Sequence, residues 1–286
     1  MAVVNTNIGA SVAQAALMRN ERALNTAMEQ LSTGKKINSA GDNASGLAIS
    51  TRLTSQIRGL DTAIRNANDA MSMVNTAEGA LDEITAMMQR MRELAVQSGT
   101  GTTAAADRTY LNAEYVALRN EIDRIADNTQ WNGRNILDGS AGASVGKSTV
   151  AFQVGVNQNQ TISTSFGNVN NTDGHMSALA STRLSAATIA SAVIVASNAI
   201  TQLDNTISDV SAQRATFGAI SNRLTHAVDN LTNVKTNTEA SRSRIMDTDY
   251  AAATSELART QIIQQAGTAM LAQANQLPQT VLALLQ

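Results

Sequence analysis

The residues able to do chemistry are few and scattered. The chain has two histidines, His175 and His226, and no cysteine. His175 lies in a run of small polar residues and His226 in a stretch of helical periodicity. Neither has a second ligand at a spacing that would close a metal site. Without cysteine there is no disulfide scaffold and no thiolate centre. Gly99-Thr100-Gly101 is too short for a phosphate loop, and no lysine follows it. Asp82-Glu83 fits a solvated helix face, and Met87, Met88 and Met91 fit core filling rather than a cofactor pocket. No catalytic, metal or cofactor site is expected, and the chain reads as a non-enzyme.

Composition narrows the partners. Charged residues are 15% of the chain and sum to a net −2, so electrostatics gives no case for nucleic acid or an acidic membrane. The first residues show no basic region leading into an apolar stretch, so a cleaved secretory signal is not expected. Ala186 to Ile200 is too short and too interrupted by Thr188, Ser191, Ser197 and Asn198 to span a bilayer. Aromatics are only 2%, which removes the usual source of buried area in a compact core and leaves Ala, Leu, Ile, Val and Met to supply it.

Those apolar residues repeat every seven positions. Leu53, Leu60, Ala67, Val74, Leu81, Met88 and Ala95 form one row, with Ile57, Ile64 and Met71 four residues on. This is coiled-coil spacing. It slips near Glu78, after which Ile84 and Met91 continue a shifted stripe. A second segment carries Leu111, Leu118 and Ile125 with Tyr115 and Ile122. A third carries Ala196, Leu203, Val210, Phe217, Leu224 and Leu231, with Val193, Ile200, Ile207 and Val228 as a second row broken at Arg214 and Ser221. Asp42 and Ser45 offer N-caps for the first long helix. Ser98-Gly99-Thr100-Gly101 ends it with residues that permit a left-handed C-terminal position. Thr102 or Thr103 can cap the next helix, and Asn128 to Gly133 is a turn cluster. A helix over about 45–98 would be roughly 80 Å long at ~1.5 Å per residue. A globule of this chain length has a radius of gyration near 19 Å. The sequence therefore predicts an elongated, mainly α bundle or coiled-coil rod.

The middle differs. Residues 139–175 are rich in Gly, Ser, Thr and Asn. Within them Val150, Phe152, Val154 and Val156 alternate with Ala151, Gln153 and Gly155, the period of a half-buried strand. Asn157 to Gln160 reads as a turn and Thr161 to Phe166 as the return strand, a small β-hairpin.

The two ends are helical in pattern and poor in charge. Leu17, Leu24 and Leu31 with Met28 suggest a seam at the start; Ile263, Met270, Leu277 and Leu284 with Ala274 and Val281 suggest one at the end. Residues 251–286 carry only Glu256 and Arg259. Ordering each residue costs about 1–2 kcal/mol of backbone entropy. Burying a leucine-sized side chain returns about 1.5–3 kcal/mol. A handful of such residues cannot hold a terminal helix alone in water. The ends are expected to be paired, and to become ordered when packed against each other and against further copies. Pro278 removes one backbone donor near the end of that seam.

Several longer motifs resemble one family. Leu31-Ser32-Thr33-Gly34-Lys35-Lys36-Ile37-Asn38-Ser39-Ala40 and Asp42-Asn43-Ala44-Ser45-Gly46-Leu47-Ala48-Ile49 are similar to the N-terminal region of bacterial flagellins. So are Arg65 to Ala70 and Gln89 to Ser98. Ser241 to Tyr250 and Gln264 to Gln276 resemble the flagellin C-terminal region. The resemblance spans about 1–138 and 190–286.

It implies an extracellular, secreted structural subunit that polymerises into the flagellar filament for swimming motility, in a minimal form with domains D0 and D1 only. The implied layout is 1–45, N-terminal D0 helix and connector; 46–138, the first D1 helices; 139–175, hairpin and outer loop; 176–236, the last D1 helix; and 237–286, connector and C-terminal D0 helix. The self-assembly residues are then Leu17, Leu24, Met28, Leu31, Ile263, Met270, Leu277, Val281 and Leu284. The implied partners are further copies of the chain, a flagellar export chaperone, the type III export apparatus, the filament cap and hook–filament junction proteins. The resemblance also implies subunit contact and recognition by Toll-like receptor 5 at Arg90, Leu94 and Glu114. Ser140, Ser144, Ser163, Thr164, Ser165 and Thr172 are the implied O-glycosylation hydroxyls. The alternative is a hook–filament junction protein, which shares flagellin-like ends. A secreted amphipathic pore-former fits less well, because the seams are narrow and rich in alanine.

Overall fold

The computed structural model describes residues 7–142, 149–169, 183–184 and 188–283, the last seven of these by backbone alone. Five helices and two small hairpins appear among them. In chain order these are α1 (Ile8–Thr33), α2 (Ala44–Ser98), α3 (Ala105–Asn128), β1 (Gln130–Trp131), β2 (Arg134–Asn135), β3 (Thr149–Gln153), β4 (Thr161–Ser165), α4 (Ile189–Met246) and α5 (Tyr250–Ala283). The chain divides into two compact units. One holds the residues up to 58 together with those from 236 onward, and the other holds 59–235.

The 59–235 unit is a helical bundle with the hairpins attached. The predicted α2 row is buried from Leu60 through Ala67, Val74, Leu81 and Met88 to Ala95. The expected slip at Glu78 does not occur. Ile84 and Met91 extend a second row that begins at Ala63 and continues through Ala70 and Ala77. Alanines hold this row because a methyl group lets neighbouring helices approach closely, and the larger Ile64 and Met71 sit beside it, partly covered. The same correction applies to α4. Its first row, Ala196, Leu203, Val210, Phe217 and Leu224, is buried as expected. Its second row starts at Ala192, Ala199 and Thr206, and Val193 is left exposed. Arg214 is no interruption. Its guanidinium reaches Asp82 on α2 at 2.9 Å.

Tyr115, Ile122 and Ala126 line the buried face of α3. Arg108 is also buried there and donates to the carbonyls of Ser98 (3.2 Å) and Thr100 (3.4 Å), so a cation meets the C-terminal end of α2. Gly99 is not in the left-handed region, and its N–H simply returns to the Ala95 carbonyl at 3.1 Å. Neither Thr102 nor Thr103 caps α3. Ala104 stands at that position without a side-chain cap, and the Thr103 hydroxyl donates to Gln97 instead.

The expected hairpin forms as β3 and β4, and the Asn128–Gly133 turn cluster closes a second, shorter hairpin that was not expected. Asn132 and Gly133 both take positive φ between the two-residue strands β1 and β2, as a primed hairpin turn requires. β3 and β4 pair antiparallel from Thr149–Ser165 to Gln153–Thr161. Ile162, Thr164 and Phe166 are buried, and the Phe166 ring meets Phe217 of α4 with centroids 5.2 Å apart.

In the terminal unit, Gly34 ends α1 with a left-handed conformation (φ 69°). Thr248 donates to the Gly34 carbonyl at 3.0 Å and Lys36 to that of Met246 at 2.6 Å, which ties the segment after α1 to the segment before α5. α4 remains helical to Met246, past position 237 where a connector was expected, leaving only residues 247–249 between α4 and α5. The cap of α2 is neither Asp42 nor Ser45. Asn43 accepts from the Gly46 N–H at 2.8 Å.

Asp42 instead accepts from the N–H groups of Ser39 (2.8 Å) and Asn38 (3.0 Å), bonds that hold its carboxyl below the usual carboxylate range. With the folded value depressed, this contribution is complete above the unfolded pKa and is lost as pH falls through the folded one. Asp42→Ala should speed amide exchange at Asn38 and Ser39. The wild-type advantage should fade in acid below the ordinary carboxylate value. Unchanged exchange at both amides would contradict this role for the loop.

Candidate assembly surface

α1 and α5 run antiparallel against each other. The side chain of Asn7 accepts from the Ala10 N–H (3.0 Å), capping α1, and donates to the Ala274 carbonyl (2.8 Å) on α5. At the other end, Tyr250 lies against Gly34. Between them the less exposed positions of α1 include Ala10, Ala13, Leu17, Asn20, Leu24, Ala27 and Leu31, with Ala23 and Gln30 at the flank. Those of α5 include Ala253, Leu257, Thr260, Gln264, Gly267, Leu271 and Ala274, with Glu256 at the flank. Each set is spaced three and four apart, a heptad seam.

Leu17, Leu24, Leu31 and Ala274 lie on this seam, whereas Met28, Ile263 and Met270 do not. Met28 is 54% exposed, Ile263 44% and Met270 66%. The α5 seam lies one residue later than the large apolar residues suggest. The reason is space. A Cβ on Gly267 would sit 2.6 Å from Cδ2 of Leu17, so the helices approach too closely for Ile or Met at such positions. Leu284 lies outside the described residues, as do the side chains of Leu277 and Val281.

The displaced large residues form the outside of the pair. Ile8, Val12, Met18 and Met28 on α1 and Ile262, Ile263 and Met270 on α5 all face solvent. Charge is sparse among them. On α5 Glu256 and Arg259 neutralise each other at 2.6 Å, and the bond from Arg259 holds the Glu256 carboxyl below its ordinary value. So many large apolar side chains left exposed on one helix pair, with little charge among them, make it a candidate interaction surface. The sequence missed Asn20, Thr260 and Gly267 as seam residues, although their seven-residue relation to Ala13, Ala253 and Ala274 was there to find.

Arg90 on α2 and Glu114 on α3 come together at 2.9 Å, and Arg90 also binds Glu93 at 2.9 Å. Both members of the interhelical pair are exposed. The bonds to Glu93 and then Glu114 favour the charged guanidinium. Leu94 does not join this surface: it is 1% exposed and belongs to the core, so it cannot touch a partner directly. Of the hydroxyls, Ser163 and Ser165 are exposed on β4, while Thr164 between them is buried at 2% and closed to modification in the folded chain. Ser140 is half-buried and its hydroxyl donates to Asp138. Ser144, Thr172 and His175 lie outside the described residues. His226 lines a shallow groove between the β3–β4 hairpin and α4, beside Arg223 and Asn230. No group of metal-ligating side chains is present among the described residues, and no helix among them is long and apolar enough to cross a membrane.

A paired-end helical chain whose unsatisfied surface is apolar is built as a structural protein that binds other proteins. Comparison with known proteins specifies it further. The bacterial flagellin N-terminal helical region matches residues 4–142, and the bacterial flagellin C-terminal helical region matches 200–285. The chain is 44% identical to the flagellin of Halalkalibacterium halodurans, over 99% of this chain and all of the relative. It is 41% identical to the flagellin of Bacillus subtilis, over 99% of each. It is 35% identical to Flagellin A of Vibrio cholerae, over 99% of each, in an alignment of 381 residues. That alignment is longer than the chain, so the Vibrio relative carries insertions absent here. Among solved structures, Bacillus cereus flagellin is 34% identical with a TM-score of 0.49, covering 62% of this chain and 94% of that one. A putative flagellar hook-associated protein from Vibrio parahaemolyticus shares the fold, with a TM-score of 0.59 at 13% identity, over 72% of this chain and all of that one.

The chain belongs to the bacterial flagellin family. It is a subunit of the flagellar filament, and the hook–filament junction reading gains nothing beyond a shared fold.

Proposed function

We propose that the chain polymerises by burying the outer faces of its α1–α5 pair against the same pair of neighbouring copies. The exposure of Ile262, Ile263 and Met270 on α5 and of Met18 and Met28 on α1 carries this reading. Each large side chain transferred from water contributes about 1.5–3 kcal/mol. The near absence of charge on α5 spares the polymer the cost of burying unpaired ions. In this reading α1 and α5 form the inner domain D0, and α2, α3, α4 and the hairpins form D1, whose Arg90–Glu114 pair lies at a lateral contact between subunits. The same pair is the part of the carried-over receptor site open to Toll-like receptor 5. Ser163 and Ser165 are the described hydroxyls open to O-glycosylation.

The chain is secreted through the flagellar type III apparatus, held beforehand by a chaperone on the C-terminal segment, and added beneath a cap protein above the hook–filament junction. Electron microscopy of the purified chain, seeded with short fragments at high concentration, should show filaments growing from the seeds. Persistent monomers across all concentrations and salts would overturn the reading.

A further inference from the structure

We infer that Asn20, Gln264 and Gly267 set the register of the terminal helix pair and are the specificity-determining residues of that seam. The rest of the seam cannot do this. On α1 one row reads Ala10, Leu17, Leu24, Leu31 and the other Ala13, Asn20, Ala27. On α5 the rows read Leu257, Gln264, Leu271 and Ala253, Thr260, Gly267, Ala274. Sliding one helix by seven residues, about 10.5 Å, returns leucine to leucine sites and alanine to alanine sites. The leucines and alanines alone would hold a slipped pair almost as well as the native one. Register therefore rests on the polar and close contacts within the seam and on the bonds that fasten its ends, Asn7 to Ala274 at one and Thr248 to Gly34 and Lys36 to Met246 at the other.

Within the seam two contacts break the repeat. The Asn20 amide, 8% exposed, donates to the Thr260 carbonyl at 2.8 Å and to Oε1 of Gln264 at 3.1 Å. After a one-heptad slip in either direction a backbone carbonyl again lies near Asn20. The position held by Gln264, however, is taken by Leu257 or Leu271. Gln264 in turn faces Ala13 or Ala27. Each amide loses its side-chain partner: buried Asn20 keeps only a carbonyl and half-buried Gln264 faces alanine, so the slipped register gives up a bond that the native one makes. The second contact is steric. Leu17 fills the space over Gly267, where any Cβ would lie 2.6 Å from its Cδ2. A slip puts Leu17 against Thr260 or Ala274, both of which carry that Cβ. A single polar pair in an otherwise apolar helical seam is the best-attested way to fix register, at some cost in stability.

The chain has no cysteine, so two introduced ones report without background. Thr26→Cys and Thr268→Cys, both exposed on the pair, would carry spin labels. Their axial offset makes the two slip directions give different distances. The otherwise unaltered chain should show a single distance population by pulsed electron resonance. Asn20→Leu with Gln264→Leu keeps the seam apolar and the helices paired. It should add a population displaced by roughly 10 Å, holding about a tenth or more of the molecules. Gly267→Ala should deplete the native population by the steric route. One unshifted population in both variants would overturn the inference. Register itself does not depend on the filament reading, which enters only for the consequence that slipped pairs add to seeds more slowly. Failure of the unaltered chain to elongate seeds would sink that reading alone.

Discussion

Deleting residues 251–286 is expected to abolish filament growth altogether and to unwind α1 as well, leaving a soluble monomer that retains the 59–235 bundle. The deletion removes nearly all of α5, and with it Ile262, Ile263 and Met270 of the outer face. It also uncovers the seam side of α1. Leu17, Leu24 and Leu31 are half-buried against α5, a contribution of about 1 kcal/mol each. Without it the 26 residues of α1 must stand as an isolated helix with two buried residues to lose, Asn20 and Ala27. Isolated helices are marginal in water. Circular dichroism should therefore lose more helix than the deleted segment contained, by up to the length of α1. Sedimentation of the truncated chain with seeds should leave all of it in solution. Filaments from this truncation would contradict assembly through the pair. A loss of helix equal to α5 alone would show that α1 needs no partner to stay helical.

The reach of sequence reasoning had a physical limit. Rows of large apolar residues were legible: Leu60 to Ala95 on α2, Ala196 to Leu224 on α4, and the alternation that gives β3 and β4. Asn132-Gly133 declared its turn because few residues tolerate positive φ twice in succession. The second rows were not legible, because they are made of Ala63, Ala70, Ala77, Ala192 and Ala199, whose lone methyl groups mark no face by themselves. Where two helices approach most closely, small residues line the contact and the large ones are displaced to its flanks. The terminal pair shows this too: Asn20, Thr260, Gln264 and Gly267 join the leucines in its seam, while Met18, Met28, Ile262, Ile263 and Met270 point outward. Large residues were thus a guide to the core in the bundle and only a partial one at the ends. The caps failed for a related reason. Asp42 and Asn43 are chemically equivalent candidates one residue apart, and backbone geometry assigned Asn43 to the helix and Asp42 to the preceding turn.

Phe217→Ala is expected to destabilise the bundle by about 3–5 kcal/mol, the range for truncating a fully buried aromatic. Domains of ordinary stability have only about 5–15 kcal/mol in hand. Phe217 is fully buried at the middle of the α4 row, and only three phenylalanines exist in the chain. Its ring meets that of Phe166 at 5.2 Å with planes tilted by 50°. Phe166 directly follows β4, and the Gln213 side chain donates to the Ser165 carbonyl at 2.6 Å, so this spot fastens the hairpin to α4. The alanine rows around the bundle are already at close approach and cannot move inward to fill the volume of a lost ring. Trp131, the single tryptophan, lies in the same unit and reports its unfolding by fluorescence. In urea its transition should move to a lower midpoint with an unchanged slope. Phe166→Ala should do the same, and the double variant should fall short of additivity by about 0.5–1.5 kcal/mol, the coupling of a tilted aromatic pair. A shift below about 1 kcal/mol for Phe217→Ala would mean that the site collapses around the deletion. In that case the hairpin is held by Ile162 and the Gln213 bond rather than by the rings.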